Sequence, residues 1–149
     1  MWKENFRKYS LKQIAIEKIS DENASKKIEA MLDELKNSFN KPENQSKMFK
    51  KSKELAISIL FSRYEVKPEK TLEKCFELGV KKNADYGDDN ILRFGEKGLI
   101  VRISDKYSRV QNLLKKNSRS VGDEKIEDTL EDIINYSTYG EMLVDKIWS

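Results

Sequence analysis

The chain has 149 residues, enough for one domain with a real core, and a net charge of +3. Charged residues make up 37% of it and hydrophobic residues 38%, with six Gly and two Pro, which favours helices over a turn-rich β-sandwich or barrel. It has no His and one Cys, which excludes Ser-His-Asp and Cys-His nucleophile systems, histidine and cysteine zinc sites, and an intramolecular disulfide.

No apolar run reaches the ~18 residues of a membrane span. The opening Met1-Trp-Lys-Glu-Asn-Phe6 lacks the apolar core of a signal peptide. A reducing cytoplasm and no membrane partner are therefore expected. Charge is uneven: residues 1–83 carry 19 basic and 13 acidic groups, whereas residues 84–149 carry 10 basic and 13 acidic. In the basic half Lys alternates with Glu and forms no arginine-aromatic cluster. That is the pattern of solvated helix faces and argues against direct nucleic-acid binding.

Helical periodicity runs along most of the chain. Leu11, Ile14, Ile16 and Ile19 predict a short first helix. Ser25 to Phe39 predicts a second, with Ile28, Met31, Leu32, Leu35 and Phe39 on one stripe. After a loop over 40–45, Ser46 to about Tyr64 predicts a third. Pro68 suits the first position of a fourth, which carries Leu72, Phe76 and Val80 and ends near Asn83. Cys75, at helical spacing from Leu72 and Gly79, reads as a small core residue.

The stretch Ala84-Asp-Tyr-Gly-Asp-Asp-Asn-Ile-Leu-Arg-Phe-Gly-Glu-Lys-Gly98 then predicts an ordered loop with short turns. Loops of this kind carry ligand contacts, and Tyr86, Asn90 and Phe94 are candidates. Leu99 to Leu114 is the clearest amphipathic helix, with Leu99, Ile103, Tyr107, Val110 and Leu114 on one face and Arg102, Asp105, Arg109 and Asn112 opposite. A polar turn leads to a last helix from Asp123 to about Ile147. Its core stripe is Ile126, Leu130, Ile133 and Ser137, with Glu124, Asp128, Glu131 and Asn135 pointing away and Asp132 at the margin. The short connection predicts that these two helices pack antiparallel.

The last helix opens Asp123-Glu-Lys-Ile-Glu-Asp-Thr-Leu-Glu-Asp-Ile-Ile-Asn-Tyr136, with six acids in its first ten residues. Acids four apart on a helix repel by ~0.2–0.5 kcal/mol per pair, so this register calls for a compensating cation. One to three carboxylates with waters and phosphate oxygens describe a Mg²⁺ site. Glu124, Asp128 and Asp132 are the metal candidates, and with Asp105 they are the candidate catalytic residues. Arg102, Lys106 and Arg109 would hold phosphates, Arg as a bidentate fork and Lys as a point charge. Asn135 and Tyr136 would contact a base or ribose. The alternative is structural: acids near a helix N-terminus are favoured by its dipole, and the Arg-Asp pairs serve as salt bridges between neighbouring helices.

The residues Asp85-Tyr-Gly, Asn90-Ile, Phe94-Gly, Gly98, Val101-Arg-Ile-x-Asp-Lys-x-x-Arg109, Asp123-Glu and Asp128-Thr-x-x-Asp132-Ile-x-Asn-Tyr136 together resemble the nucleotide modification associated domain, type 1, over about residues 70–145. This family is common in bacteriophage genomes. The resemblance implies nucleotide handling, in host cytoplasm if the gene is a phage's. More distantly, the helix pair is similar to all-α NTP pyrophosphohydrolases of the MazG-like and dimeric dUTPase-like kind. Those bind Mg²⁺ through Glu-x-x-Glu on one helix and Glu-x-x-Asp on the next. Here Arg102-x-x-Asp105-Lys106 lacks one acid of the first motif, and Thr129 stands where the second has Glu.

The expectation is an all-α helical bundle whose C-terminal antiparallel helix pair forms the ligand site. Residues 1–66 would be a helical extension and 67–149 the nucleotide domain, within one compact unit. A homo-oligomer is expected by resemblance alone. For function, a Mg²⁺-dependent hydrolase of a (deoxy)nucleotide phosphoanhydride stands beside a non-catalytic sponge that sequesters a nucleotide immune signal, cyclic or ADP-ribose-derived. A helical protein-interaction adaptor is the third possibility.

Overall fold

A computed structural model describes residues 2–12, 14–87, 89–116 and 122–148, except the side chains of Tyr86 and residues 122–125. Among the described residues seven helices follow one another: α1 Trp2–Ser10, α2 Asp21–Ser38, α3 Pro42–Tyr64, α4 Pro68–Tyr86, α5 Asp89–Leu92, α6 Gly95–Lys115 and α7 Gly122–Val144. No strand occurs among the described residues, so the all-α expectation holds.

Local chemistry sets the helix ends. The Ser20 hydroxyl accepts the Asn23 N–H at 3.2 Å, and Asp21 and Glu22 occupy the first turn, so α2 starts before the expected Ser25. Pro42 starts α3 before the expected Ser46, and Pro68 starts α4 where expected. Glu65, at φ 55°, closes α3 with its N–H on the Phe61 carbonyl. α7 ends in a Schellman arrangement: Lys146 lies at φ 58°, and the N–H groups of Lys146 and Ile147 donate to the carbonyls of Leu143 and Met142. The last helix therefore stops short of Ile147.

One expected element is replaced. The predicted first helix around Leu11, Ile14, Ile16 and Ile19 is not formed; the helix lies earlier, at Trp2–Ser10, and residues 14–20 have no regular secondary structure. Along this segment the backbone N–H groups of Ala15, Glu17 and Ile19 donate to the side chains of Glu54, Ser58 and Ser62 at 2.6, 3.2 and 2.8 Å. Two extended residues advance about 6.6 Å and four helical residues about 6 Å, so every second N–H meets a side chain one turn further along α3. The spacing of Ile14 and Ile16 belongs to this strap and not to a helix.

α7 is the centre of the bundle. It packs along α3 and α6 and also against α1 and α4. The expected stripe of Ile126, Leu130, Ile133 and Ser137 is buried, and so are Glu131, Asn135, Thr138 and Met142 around the rest of the helix. A Cβ on Gly140 would overlap the Phe49 ring, which marks how closely α3 and α7 approach. Gly79 likewise leaves room for Phe6 and Tyr139. The two ends of the chain meet there: Trp2 stacks on Phe6 at 5.0 Å and meets Trp148 edge-on at 5.5 Å, with Tyr139 against both tryptophans. No helix among the described residues is long and apolar enough to cross a membrane.

Candidate functional site

The antiparallel run of α6 and α7 follows from their contacts. Arg102 lies over the Tyr136 ring at 5.7 Å, and Lys106 pairs with Asp132 at 3.2 Å, so four residues forward on one helix is four back on the other. On α7, positions 132, 135, 136 and 139 share a face by helical spacing, and on α6 positions 102 and 106 do the same. These two faces, the C-terminal end of α4 and the short α5 enclose a cavity of about 400 Å³. Its walls are Lys82, Asn83 and Gly87, Asn90 and Ile91, Arg102 and Lys106, and Asp132, Asn135, Tyr136 and Tyr139. Gly87, at φ 77°, makes the turn from α4 toward α5, and its N–H closes α4 on the Asn83 carbonyl at 2.7 Å.

Asp132 is the electrostatic centre. One carboxylate oxygen accepts from Lys82 at 2.7 Å and the other pairs with Lys106 at 3.2 Å. Arg102 donates to the Asn90 carbonyl at 3.2 Å, tying α6 to α5. Three cations and one carboxylate thus line the cavity, an excess of positive charge that suits an anionic ligand. Deeper in, the Asn135 amide nitrogen donates to the Cys75 carbonyl at 2.9 Å, while its Oδ1 is buried without a partner. Burial, with the nearby Tyr136 and Asp132, pushes the Tyr139 phenol up from its ordinary value, so it stays protonated and is no general base near neutral pH.

Of the residues expected at the site, Asn90, Arg102, Lys106, Asp132, Asn135 and Tyr136 come together here. Others do not. Asp105 is exposed and lines a separate groove with Asp33, Lys36 and Phe39, because one residue along a helix turns it by about 100° from Lys106. Asp128 and Arg109 are exposed and line no part of the cavity. Phe94 is 70% exposed and is also outside it. The side chains of Tyr86 and Glu124 lie outside the described residues. Lys82, Asn83, Gly87, Ile91 and Tyr139 line the cavity but were not expected there. Lys82 and Asn83 stood in the sequence as an unremarkable helix end.

The acidic face of α7 also finds partners. Glu131, expected to point away, is 3% exposed and pairs with Lys74 of α4 at 2.8 Å, with Glu127 on the same lysine at 3.5 Å. Burial raises the Glu131 carboxyl, opposed by its hydrogen bond to Lys74. Lys74 and Lys82, two turns apart on α4, therefore meet Glu127, Glu131 and Asp132.

Mg²⁺ requires several oxygen ligands in near-octahedral array. Among the described residues no three acids converge. Both Asp132 oxygens are held by lysines, Asp105 faces another groove and Asp128 is outside the cavity. The described residues by themselves therefore form no protein-only Mg²⁺ site.

Fold and cavity together define an all-α protein with a predominantly cationic pocket walled by four helices. Residues 82–143 match the family model of nucleotide modification associated domain 1, the family that the motifs resemble. Every described residue lining the cavity, from Lys82 to Tyr139, falls inside the matched segment. No curated protein and no solved structure matches the chain, and a MazG-like similarity is not shown.

Proposed function

We propose that this protein binds a nucleotide in the cavity between α4, α5, α6 and α7. The observation that carries this is that Lys82, Arg102 and Lys106 line, with Asp132, one cavity of about 400 Å³, within the range of small-molecule sites. The cations would take the phosphates, with Arg102 able to form a bidentate fork. Asn135, Tyr136 and Tyr139 would take the base or sugar. The family matched by residues 82–143, associated with nucleotide modification, supports the same ligand class.

Retention suits this donor set better than hydrolysis. Phosphoanhydride cleavage needs charge stabilisation plus an activated water, and the one carboxylate among the described residues lining the cavity is already occupied by two ammonium groups. A binding protein that holds its nucleotide intact, such as a sponge for a nucleotide signal, is therefore the favoured form.

Calorimetric titration with the four dNTPs, a cyclic dinucleotide and ADP-ribose, each with Mg²⁺ and with EDTA, tests both parts. Chromatography of the recovered ligand reads its fate. Binding with intact ligand is the expected result. Turnover abolished by EDTA would overturn retention, and no binding by any probe would overturn the nucleotide site.

A further inference from the structure

We infer that Asn135 selects the ligand of this cavity by requiring a hydrogen-bond donor, an N–H of the base or an O–H of the sugar, directed at its Oδ1. The inference rests on the nucleotide reading of the cavity and specifies which nucleotides it accepts. Asn135 lines the cavity and is 4% exposed. Its Nδ2 is committed to the Cys75 carbonyl at 2.9 Å, and Oδ1 has no partner. Turning the amide over would set Oδ1 against the Cys75 carbonyl, acceptor against acceptor, so the network itself makes the oxygen the unpartnered end.

Buried side-chain polar atoms in native proteins nearly always have partners, and an unpartnered one on a residue that lines a cavity is a place where a ligand completes the set. It is an acceptor only, so it welcomes a donor and repels a carbonyl or phosphate oxygen. The ligand's orientation follows: phosphates toward Lys82 and Lys106, the donor-bearing end toward Asn135. A site that pairs a buried polar group with its substrate rejects analogues lacking the matching group far more strongly than an apolar pocket does.

The test compares each dNTP with its N-methylated base form, which removes ring or exocyclic N–H groups, and with its 2′,3′-dideoxy form, which removes the sugar hydroxyl. Tripolyphosphate serves as the phosphate-only probe. For the best-bound nucleotide, one of the two modifications is expected to weaken wild-type binding by roughly tenfold or more. In Asn135→Leu the unmodified nucleotide weakens similarly, and the same modification then costs little more, the non-additivity expected of two groups in contact. Loss on N-methylation assigns the donor to the base; loss on dideoxy substitution assigns it to the sugar.

Equal affinity of the wild type for modified and unmodified nucleotides overturns the inference while leaving the nucleotide site intact. A modification penalty of the same size in wild type and Asn135→Leu overturns it too. If neither tripolyphosphate nor any nucleotide binds the wild type, the underlying site reading fails first. The wild-type comparison stands whether or not the variant folds.

Discussion

Lys106 of α6 reaches a carboxylate oxygen of Asp132 on α7 at 3.2 Å, and the other oxygen of that carboxylate is already on Lys82 at 2.7 Å. A phosphate entering the cavity must compete with Asp132 for both ammonium groups. Asp132→Asn keeps the shape and removes the competing charge. Ion pairs at this degree of exposure are worth about 0.2–1 kcal/mol, so tripolyphosphate and dNTP affinities without Mg²⁺ should rise about two- to fivefold. Isothermal titration checks this; a fall in affinity would instead make Asp132 a direct ligand contact.

Removing a cation acts the other way. Lys106→Gln should weaken nucleotide binding by roughly tenfold, the loss of one charge-assisted contact. It should also flatten the dependence of affinity on salt, because screening acts through the charges present. Lys36→Gln, on the separate groove lined by Asp105, provides the comparison and should leave affinity unchanged. Titrations across a range of NaCl concentrations would show whether the two variants separate.

In the core, Lys53 is 1% exposed and pairs with Glu141 while donating to the Tyr9 carbonyl at 3.1 Å. Burial lowers the Lys53 ammonium and the Glu141 charge opposes that. Lys53→Met strands a buried carboxylate and should cost about 3–5 kcal/mol. The double change Lys53→Met with Glu141→Leu should recover most of this, since neither charge then needs a partner. Urea unfolding of the single and double variants decides it; equal losses in both would mean that the pair is not what holds α3 to α7.

Alkaline pH should loosen the fold from the thiol range upward. Burial raises the Cys75 thiol and the Tyr107 and Tyr139 phenols above their ordinary values. A raised acid contributes stability that is fully present below its unfolded value and is lost as pH rises toward the folded one. For Cys75 the loss begins near the unfolded thiol value of about 8.5, and for the tyrosines near about 10. Denaturant midpoints should hold steady to about pH 8 and then fall, and Cys75→Ala should shift the onset toward the phenol range. An iodoacetamide assay at pH 8 should label wild-type Cys75 only as fast as the protein opens.

Much of the helical pattern was readable residue by residue. Leu99, Ile103, Tyr107 and Val110 of α6, and Ile126, Leu130 and Ile133 of α7, are buried as their spacing predicts. The strap at residues 14–20 was not readable this way, because its backbone partners are Glu54, Ser58 and Ser62, some 40 residues further on. Its two isoleucines at 14 and 16 fit a helix stripe and an extended segment equally well, and only the α3 side chains decide between them.

The sequence by itself determined the helical class, the match of residues 82–143 to a family model, and the six expected residues that line the cavity. Tertiary structure decided which charges face one another. Periodicity fixes a residue's angle around its own helix but not the element standing opposite. Asp105 and Lys106 are neighbours in sequence and part company in space. Lys82 was joined to Asp132 only by the packing of α4 on α7. From Thr129 to Val144, α7 has no exposed side chain because α1, α3, α4 and α6 pack around it, so Glu131 and Asn135 are buried where a two-faced helix would expose them. That enclosure answers Glu127, Glu131 and Asp132 with lysines, beside a cavity that Lys82, Arg102 and Lys106 line.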